Sequence, residues 1–280
     1  MVKVHYKRGI VNMMDIYGST NTNLSVEADI IISSRVLFPN DESTVSFKEK
    51  GILHSYGKTL VIDVHRPEDE IYKEIHKNTR YKINRASKRD PILYFELTSP
   101  TDEEINAFLQ FFNEFAAHKN IPKGNLQRLT GLRDQNALMI SYMTDENFNP
   151  LCYHAYVLTD TYGSLLHSAS ARFQNSQERN MIGRANRYLH WLDIKSFRRL
   201  GLKWFDFGGY FVDAKEEGEQ HINRFKEEFG GHVVDEEKKF QPISLLGKLI
   251  VLLFWLKTRK RPDILRAKVY RQKQVPYRNS

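Results

Sequence analysis

The stretch from Gly201 to Gly231 constrains the fold of this chain more than any other. Residues 202–207 form a short, mostly apolar run that carries one carboxylate, Asp206, and stops at the pair Gly208-Gly209. A run of this length that ends in glycines predicts a β-strand. Its carboxylate is therefore expected at the strand end, beside the turn.

The second half of that stretch predicts a helix. A polar loop at 212–220 precedes large apolar residues at helical spacing and a second glycine pair, which are Ile222, Phe225, Phe229, Gly230 and Gly231. Glycines that follow the last apolar turn are typical of helix C-caps. Asp206 and Lys226 are therefore expected on neighbouring elements.

Composition limits the kind of protein and of partner. The chain has 280 residues, is 41% hydrophobic and 12% aromatic, and has a formal net charge of +8. This is enough for a real core in one large or two modest domains, and the charge favours an anionic partner. The single cysteine, Cys152, excludes an internal disulfide and a cysteine-based zinc site. The first residues lack an apolar core after their charges, which predicts a cytoplasmic protein with no signal peptide.

A basic helix is predicted from Glu68 to about Lys88, because Pro67 and three acidic residues mark its start. Its bases are Lys73, Lys77, Arg80, Lys82, Arg85, Lys88 and Arg89. They form either a solvated face or a site for an anion.

The middle of the chain predicts a mixed α/β domain. Its expected strands are 60–64, 92–97, 137–143, 151–158 and 164–171. An amphipathic helix is predicted to begin within 99–104, and a long helix follows the last of these strands. The order is a meander of antiparallel strands, a helix, and the strand that ends at Asp206.

Three segments in this order resemble the Fem-type peptidoglycan bridge aminoacyltransferases and their single-domain relatives, within the GNAT acyltransferase superfamily. They are Tyr72–Asp90, Tyr188–Gly201 and the Asp-Phe-Gly-Gly strand with its later Phe-Lys-Glu-Glu-Phe-Gly-Gly series. The likeness covers roughly residues 60 to 240. It implies an α/β GNAT-like catalytic domain at 99–240, a truncated N-terminal module at 1–98 and a basic amphipathic tail at 241–280.

The family pattern implies where a donor would bind. Asn180-Met-Ile-Gly183-Arg184-Ala185 is similar to the GNAT pyrophosphate loop except at its first position. This segment is expected just before the long helix, where backbone N–H groups can hold phosphates. An ordinary loop at a helix start is the alternative.

The resemblance also implies candidate catalytic residues. Lys226 matches the Phe-Lys lysine, whose ammonium would stabilise the donor carbonyl, and Phe225 would lie along the donor. Asp206 is either a base or a cap of its glycine turn. Tyr210 and His167 are weaker candidates, since both residue types are commonly structural.

Acceptor binding is assigned to Arg172, Gly208 and Gly209, because Arg172 can hold an acidic acceptor. The sequence has no His-Glu-x-x-His, Gly-x-Ser-x-Gly or Walker motif, so no metal site or bound cofactor is predicted.

The tail adds a membrane hypothesis. Residues 243–256 are strongly apolar, too short to span a bilayer, and run directly into the bases of 257–261. The segment either meets an anionic membrane surface or packs on the domain.

The resulting hypothesis is an N-acyltransferase that uses acyl-CoA as co-substrate and an amine of a cell-envelope precursor, an amino sugar or a peptidoglycan or polysaccharide intermediate, as acceptor. It would act in the cytoplasm or on the inner face of the membrane. Transfer from aminoacyl-tRNA is one alternative. A non-catalytic, membrane-associated binding module is the other. The bridge-forming enzymes are longer than this chain and have two complete folds, which puts the acceptor site in doubt.

Overall fold

The structure is a computed structural model that describes residues 1–18, 27–39, 51–172 and 175–273. Residues 274–280 of the predicted tail lie outside this range. No helix in the described ranges is long and apolar enough to cross a lipid bilayer.

The chain separates into two compact units that alternate along the sequence. The first contains residues 1–61, 209–224 and 232–280, and the second contains 62–208 and 225–231. The domain boundaries predicted at residues 98 and 240 stay a prediction. The two units group residues by their contacts, so they do not test a division of the chain into consecutive domains.

The first unit is built on antiparallel and parallel strands with two C-terminal helices. Its elements are β1 (Val2–Arg8), β2 (Val11–Tyr17), β3 (Ile30–Val36), β4 (Leu53–Asp63, which runs on into the second unit), β10 (His232–Pro242), α7 (Leu245–Thr258) and α8 (Pro262–Lys273). β10 pairs antiparallel with both β3 and β4, β2 pairs parallel with β3, and β1 pairs antiparallel with β2.

The strand β10 is the element of the first unit that is hardest to predict from the sequence. Its central residues are three acids followed by two bases, at 235–239, yet Glu237 and Lys239 are buried. The ammonium of Lys239 lies 3.8 Å from the carboxylate of Glu237, so the buried charges are of opposite sign. A polar strand of this kind lacks the apolar alternation that sequence reasoning relies on.

The second unit has the order predicted for a GNAT domain. Its elements are α1 (Glu68–Glu74), α2 (Lys77–Arg89), β5 (Ile92–Leu97), α3 (Asp102–Lys119), α4 (Leu126–Arg133), β6 (Leu138–Asp145), β7 (Pro150–Leu158), β8 (Tyr162–Ser170), α5 (Ser176–Arg199) and β9 (Trp204–Asp206). Strands β5 to β8 form an antiparallel meander, and β9 pairs parallel with β8. α6 (Glu217–Glu227) begins in the first unit and ends in the second.

The single basic helix predicted over 68–88 is wrong. The chain leaves the helix at Ile75 and starts a new one after His76, whose side chain accepts a hydrogen bond from the N–H of Asn78. The N–H of His76 donates to the carbonyl of Glu228. A local cap and a long-range hydrogen bond thus override the continuous helical pattern.

We predict that Gly163→Ala destabilises the protein because β8 approaches α5 closely at this glycine. A Cβ there would lie 2.2 Å from the ring of Phe197, which is fully buried. The free energy of unfolding should fall by about 1 to 3 kcal/mol, as overpacked cores do. Urea unfolding followed by circular dichroism measures this change.

Gly57→Ala is the matched control, because Gly57 also lies in a strand and an added Cβ would meet nothing within 4 Å. Equal losses in the two variants would contradict the close approach of β8 and α5.

Candidate functional site

The end of β9 carries the carboxylate that the sequence singled out. Asp206 is buried, and one of its oxygens accepts a hydrogen bond of 2.6 Å from the hydroxyl of Ser164 on β8. The other oxygen accepts from the N–H of Gly208 at 2.9 Å. These bonds support the interpretation of Asp206 as the cap of its glycine turn, and its role as a base stays a prediction.

Lys226, near the C-terminal end of α6, points at this turn. Its ammonium donates a hydrogen bond to the carbonyl oxygen of Gly208. The neighbouring Phe225 is half-buried, with the guanidinium of Arg187 4.8 Å from its ring centroid. The turn that Asp206 caps at Gly208 therefore contacts Lys226. This confirms the prediction that Asp206 and Lys226 lie on neighbouring elements.

Position 208 requires a glycine. Its φ is +62°, in the left-handed region, and a Cβ on it would lie 2.6 Å from the carbonyl oxygen of Leu165. Just before this point the pairing of β8 with β9 ends, since its last partners are Ser164 and Asp206 while β8 continues to Ser170. The ammonium of Lys226 is thus held at the place where the two parallel strands stop pairing.

A buried polar cluster joins β7 to α5 in the same unit. Asp193 has no exposed surface, and one of its oxygens lies 2.7 Å from Nδ1 of His154 and accepts a 2.7 Å hydrogen bond from the hydroxyl of Tyr156. The other ring nitrogen of His154 lies 2.9 Å from Oδ1 of Asn186. Burial, followed by the charge of Asp193, raises the pKa of Tyr156 well above its ordinary value, so the phenol keeps its proton and donates.

His190 connects this cluster to the lysine. Its ring lies 4.1 Å from that of His154 and 5.4 Å from that of Phe225, between centroids. Burial, and then the charges of His154, Lys226 and Arg187, hold the pKa of His190 well below its ordinary value. His190 is therefore a neutral imidazole at pH 7, and its buried Nδ1 has no hydrogen-bond partner in the structure.

Three residues of the cluster have the donor set of a metal site. Ligand atoms of His154, His190 and Asp193 lie within 4.8 Å of one another. Both ring nitrogens of His154 and an oxygen of Asp193 already have hydrogen-bond partners. A metal ion would have to break those bonds, so the cluster is best described as a hydrogen-bond network that fixes α5 on the sheet.

Sequence reasoning missed most of this cluster. Asn186, His190 and Asp193 follow one another at helical spacing of four and three, and His154 and Tyr156 alternate on one strand face. Both patterns place polar groups on one side of their element. The signal was present, but polar residues on a helix are ordinarily assigned to its solvent face.

The donor loop predicted at Asn180–Ala185 is not a loop. α5 begins at Ser176, capped by the side chain of Asn175, so this segment lies inside the helix. Its backbone N–H groups are therefore occupied by helical hydrogen bonds and cannot hold phosphates. Arg184 is bound in two hydrogen bonds to Asp90, and Ala185 is fully buried. A donor-binding role for the side chains stays a prediction.

The remaining predicted residues lie in different segments of the chain. His167 lies against α3, with its ring 4.3 Å from that of Phe112, which is aromatic packing. Tyr210 and Gly209 belong to the first unit, where the N–H of Tyr210 donates to the carbonyl of Lys58. Arg172 is exposed two residues beyond β8. Their catalytic and acceptor-binding roles stay predictions.

We predict that His190 makes the protein less stable in acid. Unfolding exposes the imidazole, which then takes up a proton below its ordinary pKa of 6.5, so the free energy of unfolding falls as pH drops through that value. In His190→Leu the free energy of unfolding should fall less between pH 7.5 and 5.5 than in the wild type, by up to about 1.4 kcal/mol, because one imidazole no longer takes up a proton on unfolding. Urea midpoints at the two pH values measure this.

The control is His232→Gln, because His232 is exposed. An unchanged pH dependence in His190→Leu would show that other groups cause the acid sensitivity.

Comparison with known proteins relies on structure. No protein-family model matches the sequence, and no curated protein matches it significantly. The crystal structure of FemX matches with a TM-score of 0.58 at 10% identity, over 90% of this chain and 85% of FemX. L-PGS from Bacillus licheniformis matches with a TM-score of 0.50 at 12% identity, over 80% of this chain and 71% of that one. At such identities the likeness concerns the fold, and this chain has the mixed α/β, GNAT-like fold of FemX that the sequence predicted.

Proposed function

We propose that this protein is an N-acyltransferase in which Lys226 stabilises the donor's carbonyl oxygen. The observation that carries the proposal is the position of the Lys226 ammonium. It donates to the carbonyl oxygen of Gly208 where β8 and β9 stop pairing, on a fold like that of FemX. A cation that already binds a carbonyl oxygen here can bind that of a substrate instead.

The reaction follows from this placement. The acceptor nitrogen attacks the donor's carbonyl carbon, which forms a C–N bond and puts negative charge on the carbonyl oxygen. Lys226 would hold that oxyanion by a charge-assisted hydrogen bond. Collapse of the intermediate breaks the bond to the carrier, which leaves as thiolate or alkoxide and takes up the proton that the nitrogen has lost.

Acyl-CoA is the donor that the sequence predicts, and the β8 strand supports it. β8 continues from Leu165 to Ser170 beyond its last partner on β9. A strand that continues past its neighbour can bind an extended arm that contains amides, as a peptide binds a sheet edge. The predicted phosphate loop does not support this donor, since it is helical.

Aminoacyl-tRNA is the second candidate, and α2 favours it. This helix has six bases and no acid among its 13 residues. Lys77, Arg85 and Lys88 are exposed, and the ring of Tyr81 is 61% exposed beside them. Clustered bases with an exposed aromatic ring suit the phosphates and bases of RNA.

The acceptor that we propose is an amine of a cell-envelope precursor, as the Fem-type resemblance implies. Arg172, Gly208 and Gly209 remain its candidate contacts. Arg172 is exposed and can meet an acidic acceptor, and Gly208 lies beside Lys226.

We predict that Lys226→Met lowers the turnover number about 10²- to 10³-fold, because an oxyanion donor is lost. The assay is release of free CoA from acetyl-CoA, or of deacylated tRNA, with a panel of amino sugars and peptidoglycan precursors. Arg224→Ala, which removes an exposed base on the same helix, should keep full activity. Turnover that survives in a folded Lys226→Met variant would refute the role of Lys226. If the wild type neither releases CoA or deacylated tRNA nor binds either donor, the protein is a non-catalytic binding module.

We predict that the donor can be identified from salt dependence. Replacing Lys77, Arg85 and Lys88 by glutamate should leave acetyl-CoA binding unchanged. If tRNA is the donor, the same triple variant should weaken tRNA binding at low salt and flatten its salt slope. Calorimetric titration at two salt concentrations separates the two carriers. A triple variant that binds tRNA as the wild type does would exclude α2 as the tRNA-binding surface.

A further inference from the structure

The helices α7 and α8 carry the whole excess of positive charge in this protein. Residues 243–273 contain nine lysines and arginines and a single acid, Asp263, which is a net charge of +8. The complete chain also has a net charge of +8, so the remainder is neutral overall. Charge concentrated in this way on one hairpin of helices indicates a negatively charged partner for that hairpin.

α7 is fixed to the first unit by one of its sides. The helix begins at the cap Ser244, whose hydroxyl bonds to Asp29, and a Cβ on Gly247 would lie 2.0 Å from the carbonyl oxygen of Asp29. Further along, the ring of Phe254 lies 5.1 Å from that of Phe240 on β10. The helix therefore packs on its sheet, which is one of the two outcomes that the sequence left open.

The opposite side of α7 is an exposed leucine stripe. Five leucines follow one another at helical spacing on it, and each keeps between 46% and 83% of its surface exposed; they are Leu245, Leu249, Leu252, Leu253 and Leu256. Soluble proteins rarely leave a contiguous apolar stripe of this kind uncovered, and such a stripe marks an interaction surface. α7 therefore has two apolar sides, of which one packs on the sheet and the other is exposed.

Bases surround the stripe. Lys248 lies within α7 and Lys257 near its end, while Arg259 and Lys260 follow directly, and all four are exposed. Arg266, by contrast, is bound to Asp235 and is part of the fold. The exposed bases are free to meet anions that lie beside the leucines.

A groove lined by α7, α8 and residues 51–54 at the start of β4 also combines apolar side chains with bases. It has a volume of about 670 Å³. Its apolar lining includes Leu252, Trp255 and Leu265, and its bases include Lys268 and Arg271. Apolar side chains beside bases match the interface of an anionic bilayer, where acyl chains lie next to negatively charged phosphates.

We propose that the face formed by α7 and α8 docks onto a bilayer that contains anionic phospholipid, with the leucine stripe inserted below the headgroups. α7 has 14 residues, about 21 Å of helix, which is shorter than a bilayer core and therefore lies in its plane. A protein partner would need acidic and apolar groups in the same alternation, whereas an anionic bilayer supplies both over any area. This inference goes beyond the proposed function, because it holds whether or not the protein transfers an acyl group.

The test is cosedimentation of the full chain with vesicles of phosphatidylcholine alone or with about one third phosphatidylglycerol. Binding is expected to the anionic vesicles, with the affinity falling as salt rises. Trp255 provides a second readout, since it is 40% exposed while Trp191 and Trp204 are each 6% exposed. Its fluorescence should shift to the blue and be quenched by brominated acyl chains when the stripe inserts.

Two variants and one control separate the contributions. Leu249→Asp with Leu253→Asp should weaken binding at least about tenfold, and Lys257→Glu with Lys260→Glu should remove the preference for anionic lipid. Ile10→Asp replaces an apolar side chain that is 81% exposed outside the hairpin and should bind as the wild type does. Thermal unfolding checks that each variant is folded.

Three results would overturn the proposal. The first is no binding to anionic vesicles at low salt. The second is binding that the aspartate pair leaves unchanged. The third is self-association that this pair abolishes, seen by sedimentation velocity, in a wild type that does not bind vesicles, which would assign the stripe to a second copy of the chain.

Discussion

The buried carboxylate of Asp193 is the group on which the second unit depends. A buried charge is tolerated only when it is paired and hydrogen-bonded, and Asp193 receives His154 and Tyr156 from β7 at 2.7 Å each. These bonds fix α5 in rotation and height on the sheet. His190 lies on the same side of α5 as Asp193. The bonds of Asp193 therefore also fix the position of His190 against Phe225. Loss of one partner would leave a charge or a donor unsatisfied and would affect the others.

The same rigidity reaches the candidate catalytic lysine through packing. Phe225 packs against both Arg187 and His190, and Lys226 is the next residue. Its ammonium is held at Gly208, whose turn is in turn fixed by Asp206 and Ser164. A lysine side chain has high conformational entropy when free, so fixing its ammonium before the substrate arrives reduces the cost of transition-state binding. The buried cluster therefore supports the position of Lys226 through the packing of Phe225.

The first unit shows a different use of polarity. Its sheet buries Glu237 and Lys239 as a pair, whereas α7, α8 and the turn between them contain nine bases and a single acid, Asp263. Internal charges are compensated within the fold, and the uncompensated ones gather on α7 and α8. That separation gives the protein one strongly basic surface without a general excess of charge.

Sequence alone predicted the order of the strands and of α3 and α5 in the second unit, because these elements follow simple periodicities and end at glycine or proline. It did not predict α4 or the division of the basic helix into α1 and α2. The strand 92–97, the capping box of α3 and the Asp206 turn all depend on local interactions. It also placed Asp206 and Lys226 on adjacent elements. Tertiary structure decided what local patterns cannot express. The break at Ile75 depends on a hydrogen bond to Glu228, and the burial of Asp193 depends on partners about 40 residues away on β7. The start of α5 at Ser176 removed the predicted phosphate loop, and the packing of α7 decided which leucines stay exposed. Except for the start of α5, which the adjacent Asn175 caps, the deciding partner in these cases is distant in sequence, and a contact of that kind leaves no periodic signal in the chain that makes it.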